Sequence, residues 1–154
     1  MIRLISEAEP AIVKQIVHLE RETFGPGGLN EWHLVPLIRH GRGFVAQQGL
    51  DVIGSIQYML DWDRPKRAYM VGVSVAQAAR GQGLGTTLLA ESLAAIQEDG
   101  IEEVELTVEP ENLVAVNLYK NKFDFVVSDF RSNEYGCGKD RLIMKKSLDS
   151  SPAK

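Results

Sequence analysis

The chain has a single cysteine, three histidines and no apolar run approaching the roughly 18 residues that a membrane-crossing helix needs. Cys137 alone makes no intrachain disulfide. It sits in Tyr135-Gly136-Cys137-Gly138, a turn pattern with no histidine nearby in sequence, so it reads as an exposed thiol rather than a nucleophile. His18, His33 and His40 lack the spacing of a zinc site, and no metal is expected. Positive charge is also in short supply: 17 Lys and Arg stand against 21 Asp and Glu, a formal net charge of −4. A nonspecific nucleic-acid binder needs a clustered basic surface, which is missing here, whereas a cationic substrate suits the balance. The first residues, Met1-Ile2-Arg3-Leu4-Ile5-Ser6-Glu7, lack the basic-then-apolar layout of a signal peptide, so the expectation is a cytoplasmic protein with no membrane partner.

What remains is an ordinary globular composition, 44% hydrophobic and 25% charged over 154 residues, enough for one domain with a full core. We expect that domain over residues 1–146 and a polar, disordered tail over 147–154. Ile2 and Leu4 open a short strand. Ser6-Glu7-Ala8-Glu9-Pro10 reads as a capping box with proline near the first turn, and Ile12, Ile16, Leu19 and Phe24 give the following helix an apolar stripe up to Gly25-Pro26-Gly27-Gly28. Asn30 caps a second, shorter helix through Trp32 to about Arg39, with Pro36, which lacks an N–H for the ladder, in its middle. Phe44-Val45-Ala46-Gln47 and the run 52–60, separated by Gly49-Leu50-Asp51, form a hairpin, and a third extended run covers 68–75.

Directly after it comes Val75-Ala76-Gln77-Ala78-Ala79-Arg80-Gly81-Gln82-Gly83-Leu84-Gly85-Thr86. Three glycines in five positions let a main chain approach a bulky group closely, and the helix that follows offers unpaired N–H groups to a phosphate. Leu84, Leu88, Leu89, Leu93 and Ile96 carry that helix to Asp99-Gly100. Val104, Leu106 and Val108 then alternate with Glu103, Glu105 and Thr107 in a half-buried strand ended by Pro110. Asn112 caps a helix carrying Val114, Leu118 and Tyr119, and extended segments at 123–130 and 141–144 close the domain. The order β-α-α-β-β-β-α-β-α-β-β is an α+β plan. It excludes an open doubly wound dinucleotide fold, which would alternate throughout and place an acidic residue about 20 positions beyond the glycines at a strand end.

Arg80-Gly81-Gln82-Gly83-Leu84-Gly85 resembles the Arg/Gln-x-x-Gly-x-Gly/Ala loop of the GNAT superfamily of acetyl-CoA-dependent N-acetyltransferases. Val73-Ser74-Val75 is similar to that family's strand before the loop. The stretch Leu106-Thr107-Val108-Glu109-Pro110-Glu111-Asn112-Leu113-Val114-Ala115-Val116-Asn117-Leu118-Tyr119 resembles its second half. The resemblance implies the acyl-CoA N-acyltransferase fold, a central, mixed, mostly antiparallel sheet flanked by helices, and acetyl-CoA as the acetyl donor.

It also implies roles for individual residues. The amides of Arg80, Gly81, Gln82, Gly83, Leu84 and Gly85, with the Thr86 hydroxyl, would cradle the coenzyme A pyrophosphate. The main chain of Val73, Ser74 and Val75 would pair with the pantetheine arm, as a peptide adds to a sheet edge. Asn112 serves as helix cap and cofactor contact together. Tyr119 holds the position of a general acid near the departing sulfur, with a packed helix tyrosine as the alternative. Where N-terminal acetylases of the ribosomal-protein type often carry glutamate, this chain has Thr107, and threonine is no base. Glu105, two residues earlier on the same strand face, is the candidate to act through a water, beside the alternative of a solvated strand charge. Asp124 replaces the glycine usual in the turn before the family's Phe, and aspartate tolerates turn geometry.

Asn133-Glu134-Tyr135 and the closing Asp140-Arg141-Leu142-Ile143-Met144 resemble the tyrosine-bearing loop and last strand of ribosomal-protein and N-terminal acetylases, as Glu20-Arg21-Glu22-Thr23-Phe24 and Trp32 resemble their substrate-side helix and loop. Tyr135 is thus a candidate acceptor contact. The missing base favours an α-amine, because a group of pKa about 7.7–8 is roughly a tenth neutral at pH 7. The expected activity is acetyl transfer from acetyl-CoA to a peptide or protein N-terminal α-amine by direct attack, in a monomer or homodimer. A small amine such as an amino acid, polyamine or aminoglycoside-like acceptor, and a noncatalytic acetyl-CoA sensor, stand as the alternatives.

Overall fold

In a computed structural model, which describes residues 1–148, the chain forms seven strands and four α-helices. They are β1 (Ile2–Ile5), α1 (Pro10–Phe24), α2 (Glu31–His40), β2 (Arg42–Gln48), β3 (Asp51–Leu60), β4 (Arg67–Val75), α3 (Leu84–Glu98), β5 (Glu103–Val108), α4 (Leu113–Asn117), β6 (Val126–Arg131) and β7 (Arg141–Ser147). The strands make one sheet in the order β1-β2-β3-β4-β5-β7-β6. Only β4 and β5 run parallel; every other neighbouring pair is antiparallel. The expected mixed, mostly antiparallel plan is the one observed.

Each sheet face has its own core because successive strand residues point to opposite sides. Val45 of β2 joins Ile5, Ile16, Leu34 and Ile38 under α1 and α2. Its neighbours Phe44 and Ala46 join Leu88, Leu89, Ile96, Val104, Leu106 and Met144 under α3. Along β5, Val104, Leu106 and Val108 are buried while Glu103, Glu105 and Thr107 are half-buried, the alternation expected of this strand. Each buried aliphatic side chain there contributes about 1.5–3 kcal/mol relative to an exposed one. The Tyr58 hydroxyl pairs with Ser92 Oγ at 2.7 Å, which pins β3 to α3 inside the core.

Local differences from the sequence expectation have simple causes. Ser6 caps nothing: α1 starts at Pro10 behind Glu9, which makes no side-chain cap bond. Proline has no N–H to satisfy and its φ is already helical, so the helix begins without that help. Pro36 lies inside an unbroken α2, whose start is secured by Asn30 accepting from Trp32 and His33 N–H and by His33 Nδ1 accepting from Asn30 N–H. Val114 is exposed rather than packed. After five residues α4 widens into a π turn over Leu118–Lys122, and β6 begins at Val126, three residues later than the extended run expected from 123. Asp124 takes φ 58°, the left-handed turn conformation that aspartate tolerates. The first two residues of the expected tail belong to the domain. Ser147 pairs with Glu103, and Leu148 is buried with its N–H donated to Glu102. Residues 149–154 lie outside the described residues. No helix among the described residues is long and apolar enough to cross a membrane.

Candidate functional site

β4 and β5 register only at Arg67, Tyr69 and the Ala68 between them, against Glu103, Val104 and Glu105. Beyond Tyr69 the two strands part. The register of β4 on β3 jumps from Tyr58↔Met70 to Gln57↔Gly72, so Val71 is an extra, bulged residue. A bulge increases local twist and bends the strand, which turns the rest of β4 away from β5. β5 continues instead against β7, to Val108↔Leu142. The opening is a cleft of about 570 Å3, walled by residues 70–73 and 106–109, with Thr23, Asn112, Tyr119 and Arg141 at its margins.

At one end stands the glycine loop. Gly81 and Gly83 have φ 79° and 77°, which a side chain would strain, and Gly83 is the N-cap of α3. The first bond of the helix is from Thr87 N–H to Gly83 O, so the amides of Leu84, Gly85 and Thr86 precede the ladder and are available to an anion. The Thr87 hydroxyl is spent on Gly83 O, and Thr86 is half-buried beside it. Gln82 is exposed and its amide reaches back to Ala78 O. Arg80 points the other way: its Nε donates to Val75 O at 3.1 Å and its guanidinium reaches Thr23 Oγ1 at 3.5 Å, tying loop, β4 and α1 together. Of the strand before the loop, Val73 faces the cleft, Ser74 is buried opposite Ser55, and Val75 packs behind α3.

Asn112 accepts from Ala115 N–H at 3.2 Å, the helix cap expected of it, and its residue borders the cleft. Tyr119, on the π turn, is buried against Phe125, and burial pushes its phenol up to about 12. The turn widening is what lets this ring face inward next to the cleft, a placement common for π bulges at functional sites.

On the opposite side the sequence is less direct. The Tyr69 hydroxyl lies 2.9 Å from Thr107 Oγ1, and its phenol is pushed up to about 12, by burial first, with the Thr107 hydrogen bond opposing and the Tyr135 hydroxyl adding to it. Tyr135, 57% exposed, is held under the Arg141 guanidinium at 4.6 Å from its ring centroid. Its loop is ordered by Asn133 and Asp140, which accept from Gly138 and Asn133 N–H respectively, each at 2.8 Å. Glu105 is neither free nor solvated: its side chain is 13% exposed and ion-paired with Arg67 at 3.5 Å and Lys145 at 3.9 Å. The sequence pattern singles out neither Tyr69 nor Arg141 as a site residue, because Tyr69 meets Thr107 across two strands 38 residues apart and Arg141 reaches Tyr135 only through the fold of the β6–β7 loop. Trp32 is not in the cleft itself but in an apolar groove of about 790 Å3 shared with Leu29, Met59 and Trp62, which adjoins the cleft at Val71. Cys137 is exposed. Among the described residues no three His, Cys, Asp or Glu side chains gather as a metal site would require.

Residues 13–125 match the sequence profile of the acetyltransferase (GNAT) family. The chain is 27% identical to an N-alpha-acetyltransferase of Sulfolobus acidocaldarius over 88% of its own length and 87% of that protein's. It is 32% identical to the N-alpha-acetyltransferase of Sulfurisphaera tokodaii over 68% of each chain. Among solved structures, the ribosomal-protein-S18-alanine N-acetyltransferase of Escherichia coli superposes with a TM-score of 0.81 over 98% of this chain and 96% of that one, at 19% identity. An aminoglycoside 6'-N-acetyltransferase complexed with coenzyme A superposes with a TM-score of 0.79 over 99% of both, at 14% identity; at these identities the likeness is one of fold.

Proposed function

The chain belongs to the acetyltransferase (GNAT) family, and from that premise we propose that its acetyl-CoA-dependent transfer is directed to the α-amine of a peptide or protein N-terminus. The opening of the sheet beyond Tyr69 carries this reading, because it leaves one edge of β4 without a strand partner between an anion-binding helix start and a hydroxyl-lined wall. Two N-alpha-acetyltransferases matched along most of the chain support the acceptor class.

The residues fit the donor. The amides of Leu84, Gly85 and Thr86 and the left-handed Gly81 and Gly83 suit a pyrophosphate, and Val73 offers its main chain to an amide-bearing arm. Arg80 acts by holding the loop on β4 and α1 rather than by its charge, and Asn112 fixes the start of α4 beside the cleft. Bound acetyl-CoA supplies an activated thioester. Tyr119 stays protonated at any physiological pH, with its phenol at about 12. Complete proton transfer to the thiolate of a thiol near ~8.5 would run uphill by ~4–5 kcal/mol, so Tyr119 stabilises the departing sulfur by donating a hydrogen bond. Tyr69, Thr107 and Tyr135 bound the acceptor side, where an α-amine, roughly a tenth neutral at pH 7, needs only modest help to attack.

Thiol release from acetyl-CoA across three acceptor sets tests the acceptor class: peptides with free α-amines, the same peptides blocked at the N-terminus but carrying lysine, and small amines. Turnover confined to the first set is expected. Turnover by polyamines or aminoglycosides with silent peptides would replace the peptide reading by the small-amine one.

A further inference from the structure

Among the described residues, the buried side-chain atoms without a hydrogen-bond partner are Glu20 Oε2, Gln57 Oε1 and Ser74 Oγ. They come from α1, β3 and β4, and their residues are 2%, 1% and 2% exposed. They converge behind Gly72. A Cβ built on Gly72 would lie 3.8 Å from both carboxylate oxygens of Glu20 and 3.9 Å from Gln57 Oε1. The Ser74 hydroxyl faces the same carboxylate without meeting the geometry of a hydrogen bond. Glu20 Oε1 accepts from Leu29 N–H at 3.1 Å, and the Gln57 amide nitrogen is occupied by Ser55 Oγ, so Oε2 and Oε1 are what these side chains leave over. Buried polar atoms are rarely abandoned, and the space at Gly72, where an added Cβ would meet nothing closer than 3.8 Å, suits one water. Two of the three atoms only accept and the third can donate, which a single water satisfies.

Gly72 also belongs to the wall of the cleft, in the stretch of β4 just past the bulge. Without a side chain there, nothing of that residue stands between the hollow and the cleft. We infer that Glu20 is the proton acceptor for the attacking amine, working through one water held at Gly72 by Glu20, Gln57 and Ser74. It rests on acetyl transfer to an amine. As the amine nitrogen bonds the thioester carbonyl carbon, its surplus proton passes to the water and the water's own proton to Glu20 Oε2. The carbon–sulfur bond breaks with its electron pair on sulfur. That thiolate is hydrogen-bonded by Tyr119 and then takes a proton from solvent, to which Glu20 returns the one it gained.

The geometry favours Glu20 over Glu105, whose carboxylate is committed to Arg67 and Lys145. The groups that face Glu20 are Gln57 of β3, Gly72 and Ser74 of β4 and the Leu29 amide of the loop before α2, none of them titratable. Burial raises its carboxyl above the ordinary value, against the weaker pull of Leu29 N–H and Ser74, which strengthens the carboxylate as a base.

Glu20→Gln keeps the side-chain volume and an acceptor for Leu29 N–H. With an acceptor that supports turnover, it should lower kcat by ~100-fold, leave acetyl-CoA affinity unchanged in a heat-shift titration, and erase the acid-side ionisation from the kcat–pH profile. Gly72→Ala should do the same by filling the hollow, since its methyl meets only ordinary contact distances; it keeps the question open to measurement if Glu20→Gln fails to fold. A high-resolution crystal structure of the acetyl-CoA complex should show a water bonded to Glu20 Oε2. Wild-type kcat with an intact acid limb in Glu20→Gln would overturn the inference, as would a dry hollow or a Gln57 amide nitrogen turned onto Glu20. The crystallographic readout needs no acceptor, so an inert acceptor panel would count against the proposed acceptor alone.

Discussion

The two ends of the cleft are built differently. The end proposed to hold the donor is main chain: positive φ at Gly81 and Gly83, then the open amides of α3, all within a few consecutive residues. The end proposed for the acceptor is side chain: Tyr69 from β4, Thr107 from β5, Tyr135 from the β6–β7 loop and Arg141 from β7, brought together by strand register. A ligand common to a family can be held by backbone, which any sequence with glycines at the right places provides. A particular acceptor needs side chains, and these are free to differ while the sheet that carries them stays the same.

If that contrast holds, the largest loss should follow a change to the backbone cradle. Gly83→Val places a β-branched residue at φ 77°, so acetyl-CoA affinity should fall by about 100-fold, a heat-shift measurement, while the helix itself survives from Thr87 onward. Unchanged affinity would mean that the amides of α3 do not meet the phosphates. Tyr119→Phe lies between the two ends. Since the hydroxyl donates a hydrogen bond and does not lose its proton, kcat should fall only ~10-fold, by the same factor from pH 6 to 9, because a phenol at about 12 does not ionise in that window. A ratio that varied with pH there would show Tyr119 titrating after all. The smallest effect belongs to the exposed acceptor loop. Tyr135→Ala removes the ring beneath Arg141 and should raise the acceptor KM by ~3–10-fold with the acetyl-CoA KM unmoved. A rise in the acetyl-CoA KM instead would erase the distinction between the two ends.

The same contrast explains what could be read in advance. The glycine loop, Asn112 and Tyr119 occupy one continuous strand–loop–helix or strand–helix passage each, and the family resemblance of those local stretches identified them. Glu105 looked like a strand carboxylate free to work. Its neutralisation by Arg67 and Lys145 depends on two other strands, one of them 38 residues away in sequence and the other 40 residues away on the opposite side. Glu20 stood only within a segment resembling a substrate-side helix, and nothing in the sequence marks that the structure buries it against β3 and β4. Leu148, just past β7, fell in the expected tail for a related reason: a polar sequence gives no sign that one leucine within it closes against Glu102 and Gln97.

The sequence by itself determined the element order, the two-faced alternation of β5, the left-handed glycines before α3 and the α+β class, because each follows from steric limits or periodicity within a few residues. The tertiary structure alone decided that the β4 bulge at Val71 opens the sheet, that Tyr69 meets Thr107, and that Glu20, Gln57 and Ser74, from three elements, are buried together beside Gly72. Those facts depend on register and packing between segments far apart in the chain, and a carboxylate's solvent and neighbours, which set its chemistry, exist only once the sheet has closed around it.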